Sequence, residues 1–186
     1  MREEIIKATN VLLESGIILY PTDTIWGIGC LATDALAIQK IKDLKKRDKN
    51  KSFIVLVENE RRLLELVEVP DIVWDIIDLE EKPVTIVYDN PKGVDESLIA
   101  EDNSLAIRLT NDIFCKELIK SINAPLVSTS ANLSGELSAL EYKLINKYII
   151  KGVDYVVNFK QNERSIYSGS SIIKVSKNGI VKVIRE

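Results

Sequence analysis

Apolar positions along the chain recur in two ways, every three to four residues in some stretches and in short unbroken runs elsewhere. Ile5, Ala8, Val11 and Leu12 share one face of a helix predicted over residues 2–14, and Gly16 follows its end. The run Ile-Ile-Leu-Tyr at 17–20 predicts a short buried strand stopped by Pro21. Asp34 is placed to cap a second helix whose stripe is Ala37, Ile38, Ile41 and Leu44. Residues 53–57 predict a strand, and helices over 60–67 and 71–79 are separated by Pro70. The runs 83–88 and 104–109 read as strands around a loop containing Pro91 and Gly93. Asn111 is the expected cap of a helix reaching Ser121, and 125–128 is another buried strand. A polar loop follows, then a helix near 139–147, a strand near 154–158 and a loop to about Ser170. The two closing runs flank Lys177-Asn178-Gly179, and Asn-Gly between alternating runs signals a hairpin.

Strands that alternate with helices and end in a hairpin predict an α/β fold with a mixed sheet. The 186 residues fit one domain over 1–186, without internal repeat or linker. The N-terminal stretch carries acids early and has no long apolar run, so neither a signal peptide nor a membrane span is expected. Cys30 and Cys115 stand far apart, without ligand-like spacing, which points to core packing and a cytoplasmic location. There is no histidine, which removes Ser-His-Asp and Cys-His schemes and argues against a zinc site. An enzyme built this way works through cations, hydroxyls, amides and backbone donors.

Charge is unevenly spread. Lys40, Lys42, Lys45, Lys46, Arg47, Lys49 and Lys51 face only Asp43 and Asp48 within 40–51, so this segment carries +5. Against a net charge of −3 the remainder carries −8. A basic island on an acidic chain fits a local anion site, and a solvated helix end is the alternative.

Four polar segments lie at or just beyond strand ends, where sites in open α/β sheets collect. They are Pro21–Thr24, Lys45–Arg47, Ser128–Asn132 and Ser168–Ser171. Together they offer a phosphate-binding inventory without a Walker lysine or a GxGxxG turn. Arg108, inside an otherwise apolar strand, needs a buried partner or a ligand anion.

Taken in order, LYPTDTIWGIGCLATD, IKDLKKRDKNKSFIVLV, PVTIVY, SLAIRL, PLVSTSANLSGE, SSIIKV and VKVIR resemble the YrdC/TsaC family over roughly residues 10 to 186. Its Lys-x-Arg and Ser-x-Asn pairs stand here as Lys45-x-Arg47 and Ser130-x-Asn132. Departures include Trp26 where tyrosine is frequent, Asp48 and Thr110 in place of prolines, and Lys82 in place of a glycine. The resemblance implies a twisted open mixed sheet with flanking helices around a concave basic cavity. It also implies a short-form synthase that condenses L-threonine, bicarbonate and ATP into threonylcarbamoyl-AMP for a tRNA modification.

By the same resemblance Lys45, Arg47, Ser130 and Asn132 are the catalytic candidates. ATP contacts fall to these four with Lys49, Ser104 and Arg185, and Lys51 is a supporting charge. Thr22, Trp26, Arg108 and Ser170 are expected around threonine. Magnesium is expected to arrive with ATP, held mainly by phosphate oxygens and water, with Asp23 as a lesser ligand and no resident metal site. Expected partners are the substrates and, transiently, the tRNA threonylcarbamoyl transferase machinery, with no membrane. An RNA-binding module, with weak RNA affinity, and an inactive small-molecule-binding paralogue are the alternatives.

Overall fold

The computed structural model describes residues 1–46 and 53–186. Its sheet has nine strands: β1 (Ile18–Tyr20), β2 (Gly27–Gly29), β3 (Ile54–Val57), β4 (Val84–Asp89), β5 (Ser104–Leu109), β6 (Leu126–Ser130), β7 (Tyr155–Val156), β8 (Ser171–Val175) and β9 (Val181–Arg185). Their order across the sheet is β7-β1-β2-β6-β3-β5-β4-β8-β9. β7 on β1, β3 on β5 and β4 on β8 run parallel, and the other neighbours run antiparallel, so the sheet is mixed as expected.

Among the described residues six α-helices flank it: α1 (Arg2–Leu13), α2 (Ala35–Lys45), α3 (Glu60–Leu66), α4 (Ile72–Leu79), α5 (Ile113–Ile122) and α6 (Lys147–Gly152). They divide the buried apolar residues between two faces. On one, Ile5, Ala8 and Leu12 of α1 meet Phe114, Leu118 and Ile119 of α5 over Tyr20 and Leu56. On the other, Ala37, Ile38 and Ile41 of α2 pack with Val55, Ile107 and Ile149. Covering each face with amphipathic helices removes most strand side chains from water, which is the main favourable term in folding. Among the described residues no helix is long and apolar enough to cross a membrane.

Local chemistry sets the ends. Asp34 caps α2 by accepting the Ala37 N–H at 3.0 Å. Lys46 closes the same helix in the left-handed conformation, φ 49°. The cap of α5 is Asp112 rather than Asn111, because its carboxylate accepts the Cys115 N–H at 2.9 Å. β2 was not expected: two glycines in three residues carry little apolar signal, yet the Tyr20 ring and the Val127 carbonyl press so closely on Gly29 that a Cβ there would come within 2.7 Å of both. β6 runs on through Ser130, so the polar segment begins as strand and not as loop. The helix expected near 139–147 starts at Lys147, capped by Asn146, and a single 3-10 turn at Tyr142–Leu144 precedes it.

Candidate functional site

A cavity of about 440 Å³ opens over the sheet, walled by the 22–27 loop, β6 with its exit, the 168–170 loop and β9. Alternate residues of β5 form its floor. Ser104, Ala106 and Arg108 point the same way because side chains in a strand repeat every second residue. Ile172 and Lys174 of β8 do likewise. Register places Asp89 against Ser104 at one end, and Lys174, level with Val87 and Ala106, reaches that end with its side chain. Arg108 lies four residues further along β5, at the other.

Arg108 is 4% exposed. Its Nη2 lies 3.0 Å from Asp23 Oδ1 in an ion pair without hydrogen-bond alignment, and its Nη1 donates to Thr24 Oγ1 at 3.4 Å. Its Nε has no partner. An acid therefore balances part of its charge, and one donor stays unused beside the cavity. An unpaired buried donor is costly, and ligand sites are where such a cost is kept.

Arg185 reaches the same end from β9 and folds back on the Ser170 carbonyl, donating from Nε at 3.0 Å and Nη2 at 2.7 Å. Burial of this guanidinium, then the charge of Arg108, lowers its pKa. Two guanidiniums that repel each other across a cavity favour an anion between them. Gly169 makes the approach feasible, since its φ is 156° and a Cβ would meet Arg185 Nη2 at 3.1 Å. Ser170, expected beside threonine, lines the cavity, but its hydroxyl is bonded to Thr85 at 2.7 Å.

The 22–26 loop is self-organised. Thr22 Oγ1 donates to the Ile25 carbonyl at 2.7 Å and accepts the Thr24 N–H at 3.1 Å. Trp26 is buried against Tyr142, ring centres 5.1 Å apart, and adds a flat apolar wall. Thr22, Thr24, Ile25 and Trp26 also line a second cavity of about 300 Å³, which Asp23 faces from the far side of the loop.

Lys45 departs from the expectation of a charge in a polar loop. It is the last residue of α2, is 1% exposed, and continues the buried stripe of Ile38, Ile41 and Leu44. Its ammonium donates to the Ser130 carbonyl and, at 2.6 Å, to the Asn132 carbonyl. The Ser134 N–H returns a bond to the Lys45 carbonyl at 3.1 Å. Asn132 in turn donates its amide to the carbonyls of Leu133 at 2.9 Å and Glu136 at 2.7 Å, and its buried Oδ1 is unpartnered.

Thr22, Trp26, Ser104, Arg108, Ser130, Ser170 and Arg185 thus share one cavity, while Lys45 and Asn132 shape its rim through the loop after β6. Arg47, Lys49 and Lys51 lie outside the described residues. Asp102, Ser138 and Lys174 line the cavity without having stood out in the sequence. Asp102 accepts from Ser104 Oγ at 2.5 Å and Lys174 Nζ at 2.7 Å. No group of three acidic or cysteine side chains suited to a metal occurs among the described residues. Asp23, committed to Arg108 and facing the second cavity, does not fit as a magnesium ligand for this site.

A family model for Sua5, yciO and yrdC proteins, described as telomere recombination, matches residues 10–186. A threonylcarbamoyl-AMP synthase of Idiomarina loihiensis is 30% identical over 156 residues, covering 82% of this chain and 84% of that protein. P. abyssi Sua5 in complex with L-threonine superimposes with a TM-score of 0.83 at 20% identity, over 94% of this chain and 52% of that one. The chain therefore spans about half the length of that Sua5. E. coli YciO superimposes with a TM-score of 0.84, also at 20% identity, over 100% of this chain and 90% of that one. The fold is common to both.

Proposed function

The chain belongs to the Sua5/YciO/YrdC family, and from that premise we propose that it condenses L-threonine, bicarbonate and ATP into threonylcarbamoyl-AMP, with release of pyrophosphate. The product is the activated intermediate for threonylcarbamoylation of a tRNA adenosine. The observation that carries the reading is the end of the cavity where Arg108, with its unused Nε, faces Arg185 beside the Trp26 wall. That end suits a small amino acid presenting a carboxylate, and the relatives favour the synthase where the fold alone does not choose.

In this reading the threonine amine, as the free base, adds to the carbon of CO2 and gives up a proton, or to that of bicarbonate with loss of water, and in either case leaves a carbamate. The resulting carbamate oxygen displaces pyrophosphate from the α-phosphorus of ATP. The threonine carboxylate, the carbamate, ATP and pyrophosphate are all anionic, so the protein contributes by positioning and by fixed positive charge and donors. Arg108 binds the threonine carboxylate, and Thr22 and Trp26 shape the space for its side chain. Ser130 and the loop after it face the α-phosphate, with Lys45 setting the shape of that loop from behind. Arg47 and Lys49 serve the triphosphate by family resemblance. Magnesium comes with ATP on phosphate oxygens and water.

The test is threonine-dependent pyrophosphate release from ATP with bicarbonate, with the acyl-adenylate identified by mass. Release that requires all three substrates supports the reading. No release, together with salt-dependent tRNA affinity, replaces it with the RNA-binding alternative.

A further inference from the structure

The cavity has two chemically different ends. Ser104 and Arg108 are four residues apart on β5, about 14 Å at the usual rise of a strand. At the Arg108 end stand two guanidiniums. At the Ser104 end Lys174 Nζ sits 2.7 Å from Asp102 and 3.8 Å from Asp89. Two carboxylates around one ammonium leave that end negative, so it repels phosphate. Between the ends the floor is apolar, with Ala106 paired to Val87, and Ile172 adds apolar surface beside Arg185. With threonine's carboxylate at the arginine end and the α-phosphate at Ser130, as proposed above, a nucleotide lying across the sheet from β6 toward β8 would place its flat base over this floor, with the base's polar edge at the acidic end.

We propose that Asp102 and Lys174 read that edge and select adenine over guanine, given that ATP is the nucleotide as proposed above. Asp102 is an acceptor and Lys174 a donor, held side by side. Adenine presents the complementary pair: N7 accepts and the 6-amino group donates. Guanine presents two acceptors there, N7 and O6, so its O6 would face a carboxylate with no proton to share. Lys174, then Ser104, holds the Asp102 carboxyl below the ordinary aspartate range, so it is ionised throughout the neutral range and stays an acceptor. Its side chain keeps 57% exposure and that of Lys174 keeps 30%, which leaves both within reach of a ligand entering from solvent.

Neither residue is part of the core, so variants keep their fold, which melting curves check. ATP, GTP and 2′-deoxy-ATP are titrated by calorimetry into the wild type, Asp102→Asn and Lys174→Met. The wild type is expected to bind ATP at least about tenfold more tightly than GTP, the scale of one good bidentate base contact. Asp102→Asn brings the ratio close to one, because an amide can turn its N–H2 toward O6. Lys174→Met weakens both purines alike, since each offers N7. Equal affinity for ATP and GTP in the wild type overturns the inference, as does an unchanged ratio in Asp102→Asn. Loss with 2′-deoxy-ATP as large as with GTP also overturns it, by assigning the pair to ribose. Threonine-dependent pyrophosphate release is measured alongside; its absence with the ATP preference intact rejects the synthase reading and upholds this one.

Discussion

The Lys45 ammonium and the Asn132 carbonyl stand 2.6 Å apart, joining the end of α2 to a loop 87 residues further along the chain. The lysine stem runs in the core while its charged tip meets main-chain oxygens, so within the basic island Lys45 is a structural bolt. Lys45→Met keeps the stem and removes the tip. Charge-assisted bonds are worth about 1.5–3 kcal/mol each, so stability should fall by roughly that amount or more. Pyrophosphate release should fall at least about tenfold in the folded fraction as the loop loses its place. Unfolding curves and turnover per folded molecule check this; unchanged stability would contradict the bolt.

Asn132→Ala follows a related course. The amide donates to two loop carbonyls, so its loss should destabilise the protein by about 1–2 kcal/mol. Asn132→Asp retains an acceptor and removes both donors, so it should be at least as unstable at neutral pH. If thermal melting of Asn132→Ala matches the wild type while turnover collapses, the amide acts on substrate rather than on its loop.

Arg108 is buried against the mostly covered Asp23, and breaking a buried ion pair by removing one partner costs about 3–5 kcal/mol. Arg108→Met should therefore be strongly destabilised, and adding Asp23→Asn should restore part of the loss. Denaturant unfolding of the two singles and the double gives the coupling directly. Simple additivity would show that the 3.0 Å contact carries no energy.

Glu4 supplies the pH dependence. Burial works against its ionisation, but the Tyr155 hydroxyl at 2.7 Å and the Asn158 N–H at 2.6 Å, helped by Lys7, hold its pKa below the usual glutamate range. A depressed acid stabilises the fold above its unfolded pKa, and that contribution is lost as pH falls through the folded value. Tyr155 is raised to about 12 by burial and by the same bond. Its contribution is complete below pH 10 and disappears as pH rises toward about 12. Glu4→Gln should flatten the acid limb of a stability profile and bring the Tyr155 absorbance titration back toward pH 10. A Tyr155 titration that does not move would sever the link.

Long periodic stretches made much of this architecture legible. The α1 stripe, the Asp34 cap and the closing hairpin all follow from local chemistry that tertiary contacts do not override. The same periodicity reaches Lys45, which is one turn beyond Ile41, but its charge suggested an anion ligand or a solvated end, and the carbonyls of Ser130 and Asn132 that receive its buried ammonium are distant in sequence. β2 was hidden because glycine carries no hydrophobic signal. Of the four strand-end segments, three bring residues to one cavity (Thr22 and Thr24, 128–130, 168–170), while Lys45 and Asn132 stand behind its rim and Arg47 lies outside the described residues. Asp102 and Lys174 were invisible because they are 72 residues apart and look like ordinary surface charges until β4 brings β5 and β8 together.

β9 ends the sheet and is exposed along all five residues, yet it supplies Arg185 to the cavity. Half of the arginine pair is thus carried by an edge strand with little burial to hold it. Backbone amides at such an edge exchange with solvent through local opening, at a free energy well below that of global unfolding. An anion that grips Arg185 must be released before the strand can fray, so its binding energy adds to the cost of opening. Deuterium uptake at Val181–Arg185 should therefore slow as the cavity fills, which turns the last strand into a built-in gauge of occupancy.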